Sequence, residues 1–211
     1  MVTLQENTVQ FNNNLFVSHN GGQLSSDSGL TLMDELMDAF HFTQLSEEII
    51  TFNDNRKYCK HSNSKILKQL ILQITAGYKA DTSADILQYD PVLLTFASGE
   101  SLASQPTISR FWDRTTEETI EDFQKLNQVL IDQARLVRND TNLIIDLDST
   151  HSDTFGNQEL TDYNAHYGTT GYHPLVAFDG LTGDFLKATL RPGHQYTSNG
   201  VKEFLEPLLD H

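Results

Sequence analysis

Asp146 and Asp148 stand two residues apart in the run Leu143-Ile144-Ile145-Asp146-Leu147-Asp148, which holds no proline or glycine and is rich in β-branched residues. Such a run predicts a strand. Alternation puts Leu143, Ile145 and Leu147 on one face and Ile144, Asp146 and Asp148 on the other. Two carboxylates on one face of an otherwise apolar strand are costly if buried without a cation or donors. Asp148 stands at the carboxy end of the run, beside Ser149-Thr150-His151. There an oxygen ligand can meet a hard cation such as Mg²⁺ and still reach solvent. An aspartate at that position can also cap the following loop through its own backbone, and the strand alone leaves both readings open.

The elements around this strand are read from periodicity. Short β-like runs at Thr8–Phe11 and Leu15–Val17 end at a Gly21-Gly22 turn signal. From Ser26 to Phe42, Leu30, Met33, Leu36, Met37 and Phe40 recur at helical spacing, with Ser26 or Ser28 as the cap. Further helices are predicted over Ser46–Phe52 and over Ser64–Tyr78. The second of these carries Ile66, Leu67, Leu70, Ile71 and Ile74 on one broad face. Thr82–Tyr89 reads as a helix stopped by Asp90-Pro91, because the residue before proline disfavours the α region. Ser104–Thr115 and the long Glu117–Val137 follow, the latter with Ile120, Phe123, Leu126, Leu130, Ile131 and Ala134 inward. Two strands come after the aspartate strand, about Tyr172–Phe178 and Asp184–Leu190, joined by the hairpin loop Asp179-Gly180-Leu181-Thr182-Gly183. A last helix opens near Ser198 with Val201, Phe204, Leu205 and Leu208 on its face. The fold class expected is α+β, with a mainly helical region over 1–139 and a strand, loop, hairpin and helix over 140–211.

Composition narrows the classes. The 211 residues are 38% hydrophobic and 20% charged, ordinary for a globular protein. No apolar run approaches the roughly 18 residues needed to span a bilayer, and the amino terminus has no signal pattern, so a cytoplasmic protein without a membrane partner is expected. One cysteine, Cys59, rules out an internal disulfide framework and any multi-cysteine zinc site. A formal net charge of -15 opposes non-specific nucleic-acid binding. The charge is uneven, however: Arg56, Lys57, Lys60, Lys65 and Lys68 form a basic stretch, and Arg110, Arg114, Arg135 and Arg138 a thinner one. The first could grip DNA phosphates, or be a solvated loop and helix face.

Several longer motifs converge on one family. Ile145-Asp146-Leu147-Asp148-Ser149-Thr150-His151-Ser152-Asp153-Thr154-Phe155-Gly156 closely resembles the first-aspartate region of DDE transposases of bacterial insertion sequences. So do Tyr163-Asn164-Ala165-His166-Tyr167-Gly168 and Gly171-Tyr172-His173-Pro174-Leu175-Val176-Ala177-Phe178-Asp179-Gly180. With Leu24-Ser25-Ser26-Asp27-Ser28-Gly29 and Ser104-Gln105-Pro106-Thr107-Ile108-Ser109-Arg110, the resemblance covers nearly the whole chain and looks closest to the 1380 lineage. It implies a helical amino-terminal domain followed by the first half of an RNase H-like core, three antiparallel strands and a helix. It also implies DNA strand cleavage and strand transfer by two Mg²⁺ or Mn²⁺ ions held on three carboxylates. One ion would activate a water or a DNA 3′-hydroxyl and the other would stabilise the leaving oxygen.

On that resemblance Asp148 is the first catalytic and metal-binding aspartate, with Asp146 the fallback ligand. The family's second aspartate lies on the strand after the last helix and its glutamate well beyond, so residues 1–211 are expected to be inactive alone and to bind the metal weakly. The strand that would pair with the Asp148 strand is expected to be lacking too, leaving an open edge. The expected partner is DNA, the element's terminal inverted repeats; a homo-oligomer stays open. Gln105, Thr107, Ser109 and Arg110, at the start of a helix capped by Ser104, become candidate DNA contacts alongside Arg56, Lys57 and Lys60. Otherwise that segment is one more capped bundle helix with a solvated arginine.

Other features carry less. His151, His166 and His173 match no zinc spacing, and loop histidines usually bond backbone or solvent. Phe111 and Trp112 at helical positions read as core. Gly168, Gly171 and Gly193 read as turn residues, and no phosphate-cradling glycine loop precedes a helix. Three rivals remain: a DNA-binding fragment that represses the intact transposase, an inert remnant, and a metal-dependent nuclease.

Overall fold

Residues 7–9, 12–17, 25–96 and 101–211 are described by a computed structural model of the chain. Two units emerge, Met1–Thr119 and Ile120–His211. The first opens with an antiparallel pair, β1 (Asn7–Val9) and β2 (Asn12–Val17). The Gly21-Gly22 turn lies outside the described residues. Helices α1 (Leu30–Ala39), α2 (Phe42–Ile49) and α3 (Asn63–Thr75) follow. A 3₁₀ turn at Asp81–Ser83 then leads into α4 (Ala84–Leu87), α5 (Pro91–Phe96) and α6 (Gln105–Trp112).

The helix expected over Ser26–Phe42 is two helices. Its start slips to Leu30, with Gly29 at the cap position and neither Ser26 nor Ser28 capping through its side chain. Its end breaks at His41, whose backbone is left-handed at φ 54°. Phe42 lies five residues past Met37, so a continuous helix would turn it away from Met37; the break lets both side chains be buried. In α3, Ser62 caps by accepting the Lys65 N–H at 3.3 Å. The buried face is turned from the expected one: Ile74 is exposed, while Leu72, Gln69 and Gln73 are buried. The Gln69 amide is bonded at both ends, whereas the buried Gln73 Oε1 accepts no hydrogen bond. Gln69 donates to the Ala103 carbonyl at 2.9 Å and accepts the Ala103 N–H at 2.8 Å, and Gln73 donates to the Ala80 carbonyl at 3.0 Å. Asp90-Pro91 ends α4 as expected but also starts α5, because Asp90 Oδ1 accepts the N–H groups of Val92 and Leu93.

The second unit takes most of α7 (Glu117–Arg138) and then β3 (Ile145–Ser149), β4 (Ser152–Asp153), β5 (Asp162–Asn164), β6 (Thr169–Tyr172), β7 (Leu175–Asp179), β8 (Phe185–Thr189) and α8 (Val201–Leu209). The principal sheet is antiparallel in the order β3-β7-β8. One face packs Leu175, Ala177 and Leu186 with Ile145 and Leu147 against Ile131 of α7 and Phe204, Val201, Leu205 and Leu208 of α8. Accordingly α7 belongs with the sheet, and the compact units divide 20 residues before the 139/140 boundary read from the sequence. The edges of the sheet are unequal. Gln124 of α7 donates to the Ala188 carbonyl at 2.9 Å and Asn127 to the Phe185 carbonyl at 2.8 Å, so α7 satisfies the β8 edge. Among the described residues no strand pairs with the outer edge of β3. The resulting architecture is α+β.

The β4-β6-β5 sheet was not expected, and Tyr172 belongs to it instead of to β7. Gly171 sits inside β6, not in a turn: a Cβ there would collide with the Ser152 carbonyl of β4, so only glycine permits the strands to close.

Candidate active-site cleft

Alternation in β3 is as the sequence requires. Ile145 and Leu147 turn to the core while Asp146 and Asp148 are exposed on the opposite face. Pairing sets Asp148 opposite Val176 and Asp146 opposite Phe178, near the exposed pair Phe178–Phe185, whose rings meet edge-on at 5.6 Å. The two carboxylates differ in surroundings. Asp148, with Ser149, lines a cleft of about 550 Å³ whose other walls are Tyr163–Tyr167, His173 and Gly193–Thr197; Asp146 is not part of its lining. The Asp148 Oδ1 accepts the Ser149 N–H at 2.7 Å, so the backbone-capping role is present as well.

Two buried polar side chains shape the cleft. Asn164 accepts the N–H groups of His166 (3.0 Å) and Tyr167 (3.3 Å), closing their turn, and donates to the Gly193 carbonyl at 2.7 Å. It thereby ties one wall to the next. Arg191, 9% exposed, donates to the carbonyls of His173 (3.1 Å), Tyr196 (3.3 Å) and Asn199 (2.8 Å). Burial pushes its guanidinium below the ordinary arginine value. His173 is buried beside it, its Nδ1–H donating to the Gln195 carbonyl at 2.6 Å. Ser149 and Thr197 close the ring, hydroxyl to hydroxyl.

A family model for the transposase DDE domain, group 1, matches residues 7–211. The chain belongs to that family. No curated protein and no solved structure is matched. The order β3, hairpin β7-β8 and α8, with β3 and β8 flanking β7, fits part of a DDE transposase core.

For a DDE transposase the divalent metal must be held by carboxylates, and the donor set can be tested. Asp148 fits as one hard oxygen ligand, exposed at the cleft. Among the described residues no three His, Cys, Asp or Glu side chains converge on one point. Asp148 would therefore supply one of several ligands, the rest being water, phosphate or further carboxylates. The three loop histidines gather around one ring: His151 stacks on Tyr167 at 4.7 Å, His166 meets it edge-on at 4.9 Å and His173 at 6.0 Å.

The candidate DNA contacts lie in the first unit of this transposase domain. In α6, Ser109 and Arg110 are exposed and Gln105 and Thr107 half-buried. Ser104 holds the cap position with its hydroxyl 3.2 Å from that of Thr107, bonding no backbone N–H. The Gln105 N–H donates to Asp85 at 3.1 Å, so a carboxylate already occupies this helix start. Phe111 is core, and Trp112 packs edge-on against it at 5.0 Å with part of its ring exposed. Lys57 and Lys60 are exposed. Arg56 is engaged inside the fold: it pairs with Asp54 at 2.6 Å and donates to the His61 carbonyl and to Asn63. That pairing holds the Asp54 carboxyl well below the usual carboxylate range. Arg114 shares the same Asn63 Oδ1 at 2.9 Å. Neither Asn164 nor Arg191 had a role assigned from sequence; each sits in a segment that reads as loop, and the only signal was that Asn164 falls within a family-like motif.

Proposed function

We propose that this chain is an insertion-sequence transposase of the 1380 lineage, acting on DNA in the cytoplasm. Residues 1–139 would serve DNA binding, and residues 140–211 would open an RNase H-like catalytic domain. The observation that carries the reading is Asp148, exposed on the edge strand of the β3-β7-β8 sheet and facing the cleft. Asp148 would hold Mg²⁺ or Mn²⁺, with Asp146 as the fallback. The bound metal would activate the attacking hydroxyl and stabilise the leaving oxygen of an in-line displacement at phosphorus. The chain's own residues do the positioning: Ser149 orders the Asp148 carboxylate through its N–H, and Asn164 and Arg191 fix the facing walls.

The alternative reading is a non-catalytic DNA-binding role at element ends that represses an intact transposase; it is supported by the lack, among the described residues, of any second and third ligating side chain beside Asp148. The test has two arms. Mn²⁺ titration followed by electron paramagnetic resonance should show weak binding that Asp148→Ala abolishes and Asp146→Ala leaves; equal binding in all three proteins removes Asp148 from the role. Retention of terminal-repeat DNA across a salt series should be specific and fall with added salt. No retention at low salt sinks the DNA-binding reading.

A further inference from the structure

The cleft beside Asp148 is built from rings. Three tyrosines (Tyr163, Tyr167 and Tyr196) and three imidazoles (His166, His173 and His194) line it, and among the described residues no lysine or arginine does. A wall meant for phosphates would carry the opposite chemistry, because phosphate binding draws on Lys and Arg. Aromatic rings beside a nucleic-acid reaction centre suit nucleobases, since every base offers a π-face to stack. Its volume of about 550 Å³ falls in the range of ligand pockets, ~300–1,000 Å³.

Tyr167 is the best prepared of these rings. His151 stacks on it at 4.7 Å with planes 16° apart, and His166 and His173 brace it edge-on. His151 is itself held, its Nε2 lying 2.8 Å from the Thr169 hydroxyl and 3.1 Å from Asp153. The backbone N–H of Tyr167 is fixed by Asn164. Even so, Tyr167 stays 45% exposed. A ring immobilised before the ligand arrives loses little entropy on binding. Tyr196, on the opposite loop, is 77% exposed, and its carbonyl is held by Arg191.

We propose that this cleft is a subsite for an unpaired nucleobase of the DNA end, stacked on Tyr167 and flanked by Tyr196, which sets the adjoining sugar–phosphate beside Asp148. The inference rests on the transposase reading and adds what the cleft recognises: a base lifted out of the duplex, taken by stacking and with little sequence preference. Extruding a base costs a few kcal/mol and least where it is already unpaired, so frayed or overhanging ends are the favoured ligand. Because the cleft lacks fixed cations, the stacking step contributes little to the salt dependence of binding.

The test uses the 211-residue protein and a short duplex with 2-aminopurine in a two-nucleotide single-stranded overhang. The comparison is the same duplex with that base paired internally. Stacking quenches 2-aminopurine fluorescence. Quenching is expected with the overhang and not with the paired base, with affinity lowered about tenfold in Tyr167→Ala and kept in Tyr167→Phe. Tyr196→Ala, a change at an exposed ring, should weaken it by a smaller factor. Circular dichroism of each variant guards against simple unfolding; if Tyr167→Ala does not fold, Tyr196→Ala carries the test alone. Absence of quenching, or quenching that survives in the folded ring-deletion variants, overturns the proposal. Mn²⁺ binding and terminal-repeat retention report on the transposase reading separately, so a failure of one is not mistaken for a failure of the other.

Discussion

The hydroxyls of Ser149 and Thr197 lie 2.6 Å apart, one residue past Asp148 on one side and four residues before α8 on the other. This bond joins the strand that bears the carboxylate to the loop that forms the far wall of the cleft. Thr197→Val keeps the shape and removes the bond, at a cost of about 1 kcal/mol. Amide hydrogen exchange in 193–199 should quicken while the β3–β7 ladder stays protected. Unchanged exchange in that loop would show that other contacts hold it.

Arg191 is expected to matter more. Its guanidinium satisfies carbonyls on two segments, His173 and Tyr196–Asn199. Arg191→Met strands the carbonyl of buried His173, at about 1–3 kcal/mol, and unties those of the exposed Tyr196 and Asn199. The loss of stability in urea should exceed that of Thr197→Val. Arg191→Lys should rescue little, because a single ammonium cannot reproduce the planar fork. Full rescue by lysine would mean that charge alone is needed there.

Asp179 ends β7 fully buried, paired with Arg135 of α7 at 3.1 Å and accepting the Leu181 N–H at 2.9 Å. These donors, the Leu181 backbone first, lower its pKa. A carboxyl depressed by folding stabilises above its unfolded value near 3.9 and loses that stabilisation as pH falls through the lower folded value. Arg135→Met removes one partner and leaves the Leu181 N–H in place, so it should cost about 1–3 kcal/mol at pH 7. Asp179→Asn should narrow the gap between urea midpoints at pH 7 and pH 3. A gap as wide as that of the parent protein would place the acid sensitivity elsewhere.

How far this was legible depends on where each constraint resides. β3 was readable because burial of one face imposes strict alternation, and Asp179–Gly183 because its turn residues are local. The α8 face followed from helical spacing, but that of α7 did so only around Leu126 and Ile131, since Ile120 at its start is exposed and Asp122 buried. The β4-β6-β5 sheet was not readable: its strands are two to four residues long, and what makes them pair is the space left at Gly171, a tertiary fact. The break at His41 and the new start at Pro91 were hidden within otherwise helical patterns. Asp148 was legible as a candidate from its type and position. The walls that face it were not, because a buried arginine in Leu190-Arg191-Pro192-Gly193 reads like any exposed loop cation.

Gly171 of β6 and Gly193, next to the Tyr172–Pro192 bridge, both sit where backbone approaches closely. Cβ atoms at Gly171 and Gly193 would strike backbone carbonyls, those of Ser152 and of Asp162 and Gly171. Backbone cannot move aside as a side-chain end can. Gly183, by contrast, has open space and a left-handed φ of 78°, for which alanine costs about 1 kcal/mol. Gly171→Ala and Gly193→Ala should each destabilise more than Gly183→Ala by thermal melting. If all three behave alike, the close approach of β4 to β6 is not a constraint.

The basic stretch of the first unit contains two kinds of cation. The donors of Arg56 are spent on Asp54, the His61 carbonyl and Asn63, whereas Lys57 and Lys60 are exposed. If the stretch grips phosphates, each free lysine that contacts one adds about 0.9 to the slope of log affinity against log salt. Lys57→Gln and Lys60→Gln should each flatten the slope for terminal-repeat DNA by roughly 1 and leave the melting temperature alone. Arg56→Gln should do the reverse, lowering stability and the resistance to acid that the depressed Asp54 carboxyl confers above its unfolded value, with little change in slope. A slope that drops with Arg56→Gln and stays put with both lysine variants would mean that the arginine leaves its intramolecular partners to bind DNA.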